Sequence, residues 1–188
     1  MKGHLFVFSG PSGAGKGSVL TKVLASIDNL EYSVSCTTRK PRPGDVNGRE
    51  YWFMDECDFR SMAAEDKFLE WAEVHGGLYG TRRDIVENAL AGGKDIILEI
   101  DVQGALQVKK KIPEAIAVFL EPPSKEELEK RLRNRSTEDE KQIELRLANA
   151  EKEMNCAHKY DHVIVNDEVD RAAEEFIKII ESYRRGSR

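Results

Sequence analysis

Residues 10–20 read "GPSGAGKGSVL", which places four glycines and one lysine at the spacing of a phosphate-binding loop. Glycine lets the backbone curl so that successive N–H groups point at one anion, and a following helix adds the positive end of its dipole. Lys16 adds a charge that can reach the β- and γ-phosphates of a nucleotide. The pattern predicts a site for the phosphates of a nucleotide, formed by Gly10, Pro11, Ser12, Gly13, Ala14, Gly15, Lys16, Gly17 and Ser18.

The residue after the lysine departs from the usual motif G-x-x-x-x-G-K-[ST]. Gly17 stands where a hydroxyl normally helps to hold Mg²⁺. Ser18 comes next, but a helix rotates it about 100° away, so it does not simply substitute. Gly17 resembles the G-K-G-[ST] variant of adenylate-kinase-like nucleotide kinases. We expect Mg²⁺ to be held mainly by phosphate oxygens and water, with Ser18 as a candidate contact.

Two arginines in "SCTTRKPRPG" could bind a second phosphate. Arg39 and Arg42 are three residues apart, beside prolines that stiffen the segment. Planar guanidinium groups suit a phosphate monoester because they donate paired hydrogen bonds. Tyr51 and Tyr79 could add hydroxyl contacts to the same phosphate. A solvated turn is the alternative that the local sequence allows.

Strand-like and helix-like patterns alternate at both ends of the chain, which predicts a parallel sheet covered by helices on both faces. The predicted strands are 5–8, 95–101, 115–121 and 162–166. One predicted helix follows the glycine loop directly. The others lie near 84–91, 102–111, 124–134, 140–156 and 169–184. Turn residues and aromatics in 35–81 indicate a small, mostly β insertion, and 124–155 indicates a solvated helical hairpin.

Composition restricts the possible function classes. A chain of 188 residues suits one domain with small insertions. Its net charge of −5 argues against a nucleic-acid binder with a broad basic surface. No segment approaches the apolar length of a membrane-spanning helix. Three widely spaced cysteines without a C-x-x-C pair favour a reduced, cytoplasmic protein.

Several motifs in series resemble the guanylate kinase family. "GREYWF", "FLEW", "YGT", "DVQGA" and "VIVND" follow the glycine loop and "SCTTRKPRPG" in the family's order, so the resemblance covers essentially the whole chain. It implies transfer of the γ-phosphoryl group of ATP to GMP, and to dGMP, giving ADP and GDP. It also implies a three-layer α/β P-loop kinase fold with a core (1–34, 82–123 and 156–188), a β-rich GMP-binding insertion (35–81) and a helical lid (124–155).

The resemblance assigns the guanine-reading role to Glu70 in "FLEW". A carboxylate can accept hydrogen bonds from the N1–H and 2-amino groups of guanine, and adenine would leave it unpaired. An exposed strand residue is the alternative for Glu70. Ser35, Thr81 and Asp101 match the other polar base contacts of the family. Glu99 stands where many members carry aspartate, so Asp101 is the better candidate for a role near the metal.

The charged segment 124–155 contains the other arginines that are candidates for catalysis. Arg135 and Arg146 match the family's catalytic lid arginines, and with Lys16 and Arg39 they are the predicted catalytic residues. Arg146 shares a helix face with apolar residues, which predicts that it points inward at an anion such as a triphosphate. For Arg133 we expect a solvated position.

Two further residues are assigned to ATP by resemblance. Arg131 matches a residue that contacts ATP, and Asn166 in "VIVND" matches a position near the adenine ring. A turn asparagine at a strand end is the alternative for Asn166.

Two other functions compete with a GMP kinase. The first is a kinase for another nucleotide, although Glu70, Ser35 and Thr81 weigh against AMP. The second is a non-catalytic guanylate-kinase-like module that binds phosphopeptides, although Lys16 and the lid arginines weigh against it. We therefore expect ATP and GMP as partners, and neither nucleic acid nor a membrane. The sequence leaves the oligomeric state open.

Overall fold

The computed structural model describes residues 2–74, 76–134 and 140–186. Its strands are β1 (Leu5–Ser9), β2 (Leu30–Tyr32), β3 (Cys36–Thr37), β4 (Trp52–Phe53), β5 (Phe68–Val74), β6 (Gly77–Arg82), β7 (Asp95–Glu99), β8 (Ile116–Glu121) and β9 (His162–Val165). Its helices are α1 (Lys16–Ser26), α2 (Glu56–Ala64), α3 (Arg83–Ala91), α4 (Val102–Lys111), α5 (Lys125–Arg133), α6 (Glu140–Met154) and α7 (Val169–Gly186).

The central sheet has five strands in the order β2-β7-β1-β8-β9. Strand β2 pairs in parallel with β7, and β8 pairs in parallel with β9. The predicted α/β class with a central parallel sheet is therefore confirmed, and the predicted strands match β1, β7, β8 and β9. The sequence did not predict β2, because its three residues are only half-buried and form no apolar run.

A smaller sheet of four strands in the order β4-β3-β6-β5 lies within residues 35–82. The segment is β-rich, as predicted, but it also contains α2, which the sequence analysis missed. Asp55 caps α2 by accepting a hydrogen bond from the backbone of Asp58. Phe59 is the one buried residue of α2, and its ring stacks on Phe68 with centroids 4.5 Å apart. A single buried position leaves no visible helical period, so packing against β5 decides the conformation.

The chain divides into two compact units. The first unit comprises the residues up to Val7 and Asn29–Ala115, and the second comprises Phe8–Asp28 and the residues from Ile116 onward. The predicted insertion (35–81) lies in the first unit and the predicted lid (124–155) in the second.

Each unit has its own apolar packing. In the first unit, Cys36, Phe59, Phe68 and Leu78 form a buried cluster beneath the small sheet. In the second unit, α1 packs on α7, which buries Ala172, Ala173, Phe176 and Ile180 along one face. None of the helices within the described ranges is both long and apolar enough to cross a membrane.

Candidate active site

The predicted phosphate loop lies between β1 and α1 in the second unit, as the sequence indicates. Gly15 adopts a left-handed conformation with φ of 92° immediately before the helix, which side chains rarely tolerate. A Cβ atom there would also lie 2.4 Å from Nδ2 of Asn166. Lys16 folds back over the loop, because its Nζ donates to the carbonyl oxygens of Gly10 at 2.6 Å and Pro11 at 3.2 Å. The lysine charge is therefore held at the loop.

Gly17, which lacks the usual hydroxyl, lies in the regular first turn of α1. Gly17 and Ser18 are exposed in the first turn of α1, and a Cβ atom at Gly17 would meet nothing within 4 Å. Gly17 is thus not required by packing or by backbone conformation, unlike Gly15. The Ser18 hydroxyl is in an exposed position beside the loop, so it fits a role in the hydration shell of a metal ion bound by phosphates.

Asn166 supports the phosphate loop from the end of β9. Its Nδ2 donates to the backbone oxygen of Ala14 at 2.6 Å, and its side chain is buried. Its Oδ1 is also buried and has no hydrogen-bond partner among the residues that the structure describes. Arg131 donates from Nη2 to the backbone oxygen of Asn166 at 3.2 Å and pairs with Glu127. The contact to adenine stays a prediction, while the contact to the loop is a finding that the sequence did not suggest.

The lid helices also reach the loop within the second unit. A Cβ atom at Gly13 would lie 3.0 Å from Leu128 and 3.1 Å from Leu132, so α5 packs directly on the glycine turn. Arg146 is half-buried, and its Nη1 donates to Oγ of Ser12 at 3.4 Å. The inward orientation predicted for Arg146 is therefore present, with a loop hydroxyl among its contacts.

The other lid arginines differ in position. Arg135 lies outside the described residues. Arg133 is exposed, as predicted, and pairs with the carboxylates of Glu129 and Glu140.

Glu70 is buried in the first unit, with 3% of its surface exposed, so the exposed-strand alternative is wrong. It faces Thr81 across the β5–β6 pair, and the Thr81 hydroxyl donates to its Oε1 at 2.6 Å. Burial raises the pKa of Glu70 to about 7; the hydrogen bond from Thr81 opposes this shift and the charge of Asp101 adds to it. The structure thus brings together three of the predicted guanine contacts. Ser35 is buried just before β3.

The predicted phosphate ligands of GMP form a second group in the first unit. The Arg39 guanidinium lies 5.3 Å from the ring centroid of Tyr51 and 5.6 Å from that of Phe53. The Tyr51 and Tyr79 rings meet edge to face with centroids 5.7 Å apart. Burial raises the pKa of the Tyr51 hydroxyl, and the charge of the neighbouring Tyr79 adds to this shift. Arg42 is exposed at the rim of this group.

Sequence reasoning missed two residues that lie beside Glu70. Gly104 approaches Glu70 so closely that a Cβ atom would lie 2.3 Å from Oε2, and its N–H donates to Asp101, which caps α4. Lys111, in the last turn of α4, donates to the backbone oxygen of Leu69 at 2.7 Å. The "DVQGA" motif was the available signal for Gly104. Nothing in the local sequence indicated the Lys111 contact.

Tyr32 and Glu99 lie on neighbouring strands of the central sheet. Burial, and then the charge of Glu99, raise the pKa of Tyr32 well above its ordinary range, and Glu99 also raises that of Tyr51. Glu99 therefore lies near one of the two tyrosines predicted to bind the GMP phosphate.

A lysine-bearing glycine loop between the first strand of a parallel sheet and a helix defines a P-loop nucleotide-binding protein. Two further groups, a buried carboxylate bonded to a threonine and an arginine beside two tyrosines, point to a nucleoside monophosphate kinase. The family model described as guanylate kinase matches residues 2–183.

Relatives agree with this class. A guanylate kinase of Thermus thermophilus is 50% identical over 187 residues, covering 100% of this chain and 84% of that protein. The guanylate kinase of Thermotoga maritima is 46% identical over 184 residues, covering 98% and 89%. The crystal structure of guanylate kinase from Anaplasma phagocytophilum superposes with a TM-score of 0.81 at 32% identity, covering 97% of this chain and 86% of that one.

The chain therefore belongs to the guanylate kinase family, as its motifs predicted. The corresponding activity is ATP:GMP phosphotransfer, which yields ADP and GDP. This confirms the predicted class of enzyme.

Proposed function

We propose that this chain phosphorylates GMP by using the second unit for ATP and the first unit for GMP. The observation that carries the choice of GMP is the buried Glu70 carboxylate, held by the Thr81 hydroxyl. Guanine offers two N–H donors to a carboxylate, whereas adenine and uracil do not offer the same pair. A buried carboxylate left without those donors carries a penalty, so the pocket discriminates by chemistry as well as by shape.

On the ATP side, we assign the phosphates to the glycine loop and Lys16, and the adenine end to Arg131 and Asn166. Phosphoryl transfer requires positive charge around the moving group more than covalent chemistry. Lys16 and Arg146 lie at the loop and would supply part of that charge, and Arg135 is assigned the same role by family resemblance.

On the GMP side, we assign the phosphate to Arg39, Arg42, Tyr51 and Tyr79, and the base to Ser35, Glu70, Thr81 and Asp101. The acceptor oxygen belongs to an ionised phosphate, so no general base is needed. The insertion (35–81) and the lid (124–155) are the segments that we expect to close on the two substrates and exclude water.

Mg²⁺ is the cofactor that we propose. When bound, the ion would neutralise charge on the β- and γ-phosphates. The exposed hydroxyl of Ser18 fits a contact to its hydration shell. Asp101 fits less well, because one carboxylate oxygen already caps α4 and the other accepts from Gln103.

We also propose a cytoplasmic location. Cys36, Cys57 and Cys156 are free thiols, which suits a reducing compartment.

The test is a coupled assay of ADP formation with ATP, Mg²⁺ and a panel of nucleoside monophosphates. We expect GMP to be consumed at least about a hundredfold more efficiently than AMP or UMP, as hydrogen-bonding pockets allow. Faster consumption of AMP or UMP would contradict the assignment of Glu70. No turnover with any monophosphate, together with binding of a phosphopeptide, would instead support the non-catalytic alternative.

A further inference from the structure

Asp45 joins the two arginines that we assign to the phosphate of GMP. It lies in the loop between β3 and β4, three residues after Arg42. Its Oδ2 accepts a hydrogen bond from Nη2 of Arg39 at 2.8 Å and another from the backbone N–H of Arg42 at 2.9 Å. One carboxylate oxygen therefore holds both the guanidinium of Arg39 and the backbone of Arg42.

The Arg39–Asp45 pair is largely shielded from solvent. The side chain of Arg39 is 19% exposed and that of Asp45 is 16% exposed. Hydrogen bonds from the Arg42 N–H and from the Arg39 side chain lower the pKa of Asp45, so the carboxylate is ionised at neutral pH. Exposed ion pairs contribute little because water screens them, but this pair is better placed to hold one geometry.

Arg39 is also held on its other sides. Its Nη1 donates to the backbone oxygen of Lys40 at 2.8 Å, and its guanidinium lies beside the rings of Tyr51 and Phe53. A guanidinium fork carries more N–H donors than these two contacts use. Asp45 and a phosphate oxygen can therefore be bound by the same arginine at the same time.

We propose that Asp45 is a positioning residue for phosphate recognition, which orients Arg39 before GMP binds. This inference rests on the proposed role of Arg39 as a phosphate ligand. A long arginine side chain loses rotamer freedom when it binds a ligand, and a partner that fixes it beforehand removes that cost from binding. The negative charge of Asp45 also repels a phosphate dianion. If Asp45 mainly competed with the phosphate for Arg39, removing its charge would strengthen GMP binding. If Asp45 positions Arg39, removing its charge weakens GMP binding.

The same loop offers a matched control. Glu50 accepts a hydrogen bond from the backbone of Val46 at 2.7 Å and pairs with Arg49, whose side chain is 65% exposed. This carboxylate thus makes the same two kinds of contact as Asp45, but its partner is not an assigned phosphate ligand. The variant Glu50→Gln therefore removes an ion pair of the same loop and leaves the contact between Asp45 and Arg39 unchanged.

The experiment compares Asp45→Asn and Glu50→Gln by calorimetry with GMP and with guanosine, and by steady-state kinetics. For Asp45→Asn we expect Kd and KM for GMP to rise about tenfold, with guanosine affinity within about twofold and kcat within about threefold of the parent. Glu50→Gln should match the parent in all of these. Tighter binding of GMP to Asp45→Asn would overturn the inference and indicate competition. Equal weakening of GMP and guanosine would overturn it as well, because the loss would then not concern the phosphate.

An Arg39→Ala background separates this inference from the proposed site. If Asp45 acts through Arg39, adding Asp45→Asn to Arg39→Ala should change GMP affinity by less than about twofold. An undiminished effect of Asp45→Asn in that background would overturn the inference. Unaltered GMP binding by Arg39→Ala alone would instead overturn the assignment of Arg39 as a phosphate ligand.

Discussion

The hydroxyl of Thr81 donates a hydrogen bond of 2.6 Å to Oε1 of Glu70, and both residues are buried. The pairing of β5 with β6 places these residues opposite each other. A hydroxyl donor keeps this carboxylate in one orientation and favours its ionised form. The position that we assign to guanine is therefore built from two strands and not from Glu70 alone.

Replacing Thr81 by valine tests this bond, because valine keeps the shape and removes the donor. We expect the KM for GMP to rise about tenfold, since a buried charged acceptor loses its partner, while the KM for ATP stays the same. Thr81→Ser, which keeps the hydroxyl, is the matched control and should stay within about threefold of the parent. Equal effects of the two variants in steady-state assays would show that packing, not the hydrogen bond, is important here.

The raised pKa of Glu70, about 7, predicts a pH dependence of base recognition. The ionised carboxylate accepts from guanine, so binding is strong above this pKa and weakens as the pH falls through it. Between pH 8 and pH 6 the affinity for guanosine should fall about tenfold. Guanosine is the suitable probe because it carries no titrating phosphate. Glu70→Gln should bind guanosine more weakly and with a flat profile, and a parent profile that is also flat would contradict the prediction.

Gly104 should not tolerate a side chain. Alanine usually stabilises a helix position relative to glycine by about 1 kcal/mol. At position 104 its Cβ would lie 2.3 Å from Oε2 of Glu70, so the carboxylate has to move. We expect Gly104→Ala to raise the KM for GMP at least about tenfold, as a misplaced hydrogen-bonding group does. Gly186→Ala is the control, since its Cβ would meet nothing within 4 Å, and its kinetics should equal the parent's.

We expect substitutions of Lys16 and of Gly17 to have very different effects on kcat. Lys16→Met removes the charge held over the loop and should lower kcat by about 10³-fold. Gly17→Ser places a side chain in open space and should change kcat by less than about fivefold, with slightly higher helix stability. Near-normal turnover by Lys16→Met in the coupled assay would show that the loop is wrongly assigned.

Besides the adenine contact that we propose for it, Asn166 is expected to affect ATP binding through its hydrogen bond to the phosphate loop. Asn166→Asp replaces the Nδ2 donor to Ala14 by an acceptor, so two oxygens would face each other at a buried position. The KM for ATP should rise about tenfold, while calorimetric affinity for GMP should be retained. A loss of GMP affinity of the same size would indicate that the substitution disturbs more than the ATP side.

The sequence was most informative about features that depend on residues close to one another along the chain. The glycine loop, Lys16 and the buried strands β1, β7, β8 and β9 were predictable, because a phosphate cradle needs glycines at set spacing and a buried parallel strand needs an apolar run. The family also followed from motifs in order along the chain. Helix α2 and strand β2 were missed, because each is stabilised by its neighbours and carries little periodicity of its own.

Contacts between distant residues were decided by tertiary structure alone. No local pattern indicated that Asn166 donates to Ala14, that Gly104 touches Glu70 or that Asp45 holds Arg39. The pKa of Glu70 likewise depends on burial and on Asp101, which are properties of the folded chain. The sequence by itself thus determined which chemical groups are available and in what order. Only the fold determined their partners and their protonation, because hydrogen bonds and desolvation act between atoms brought together in space.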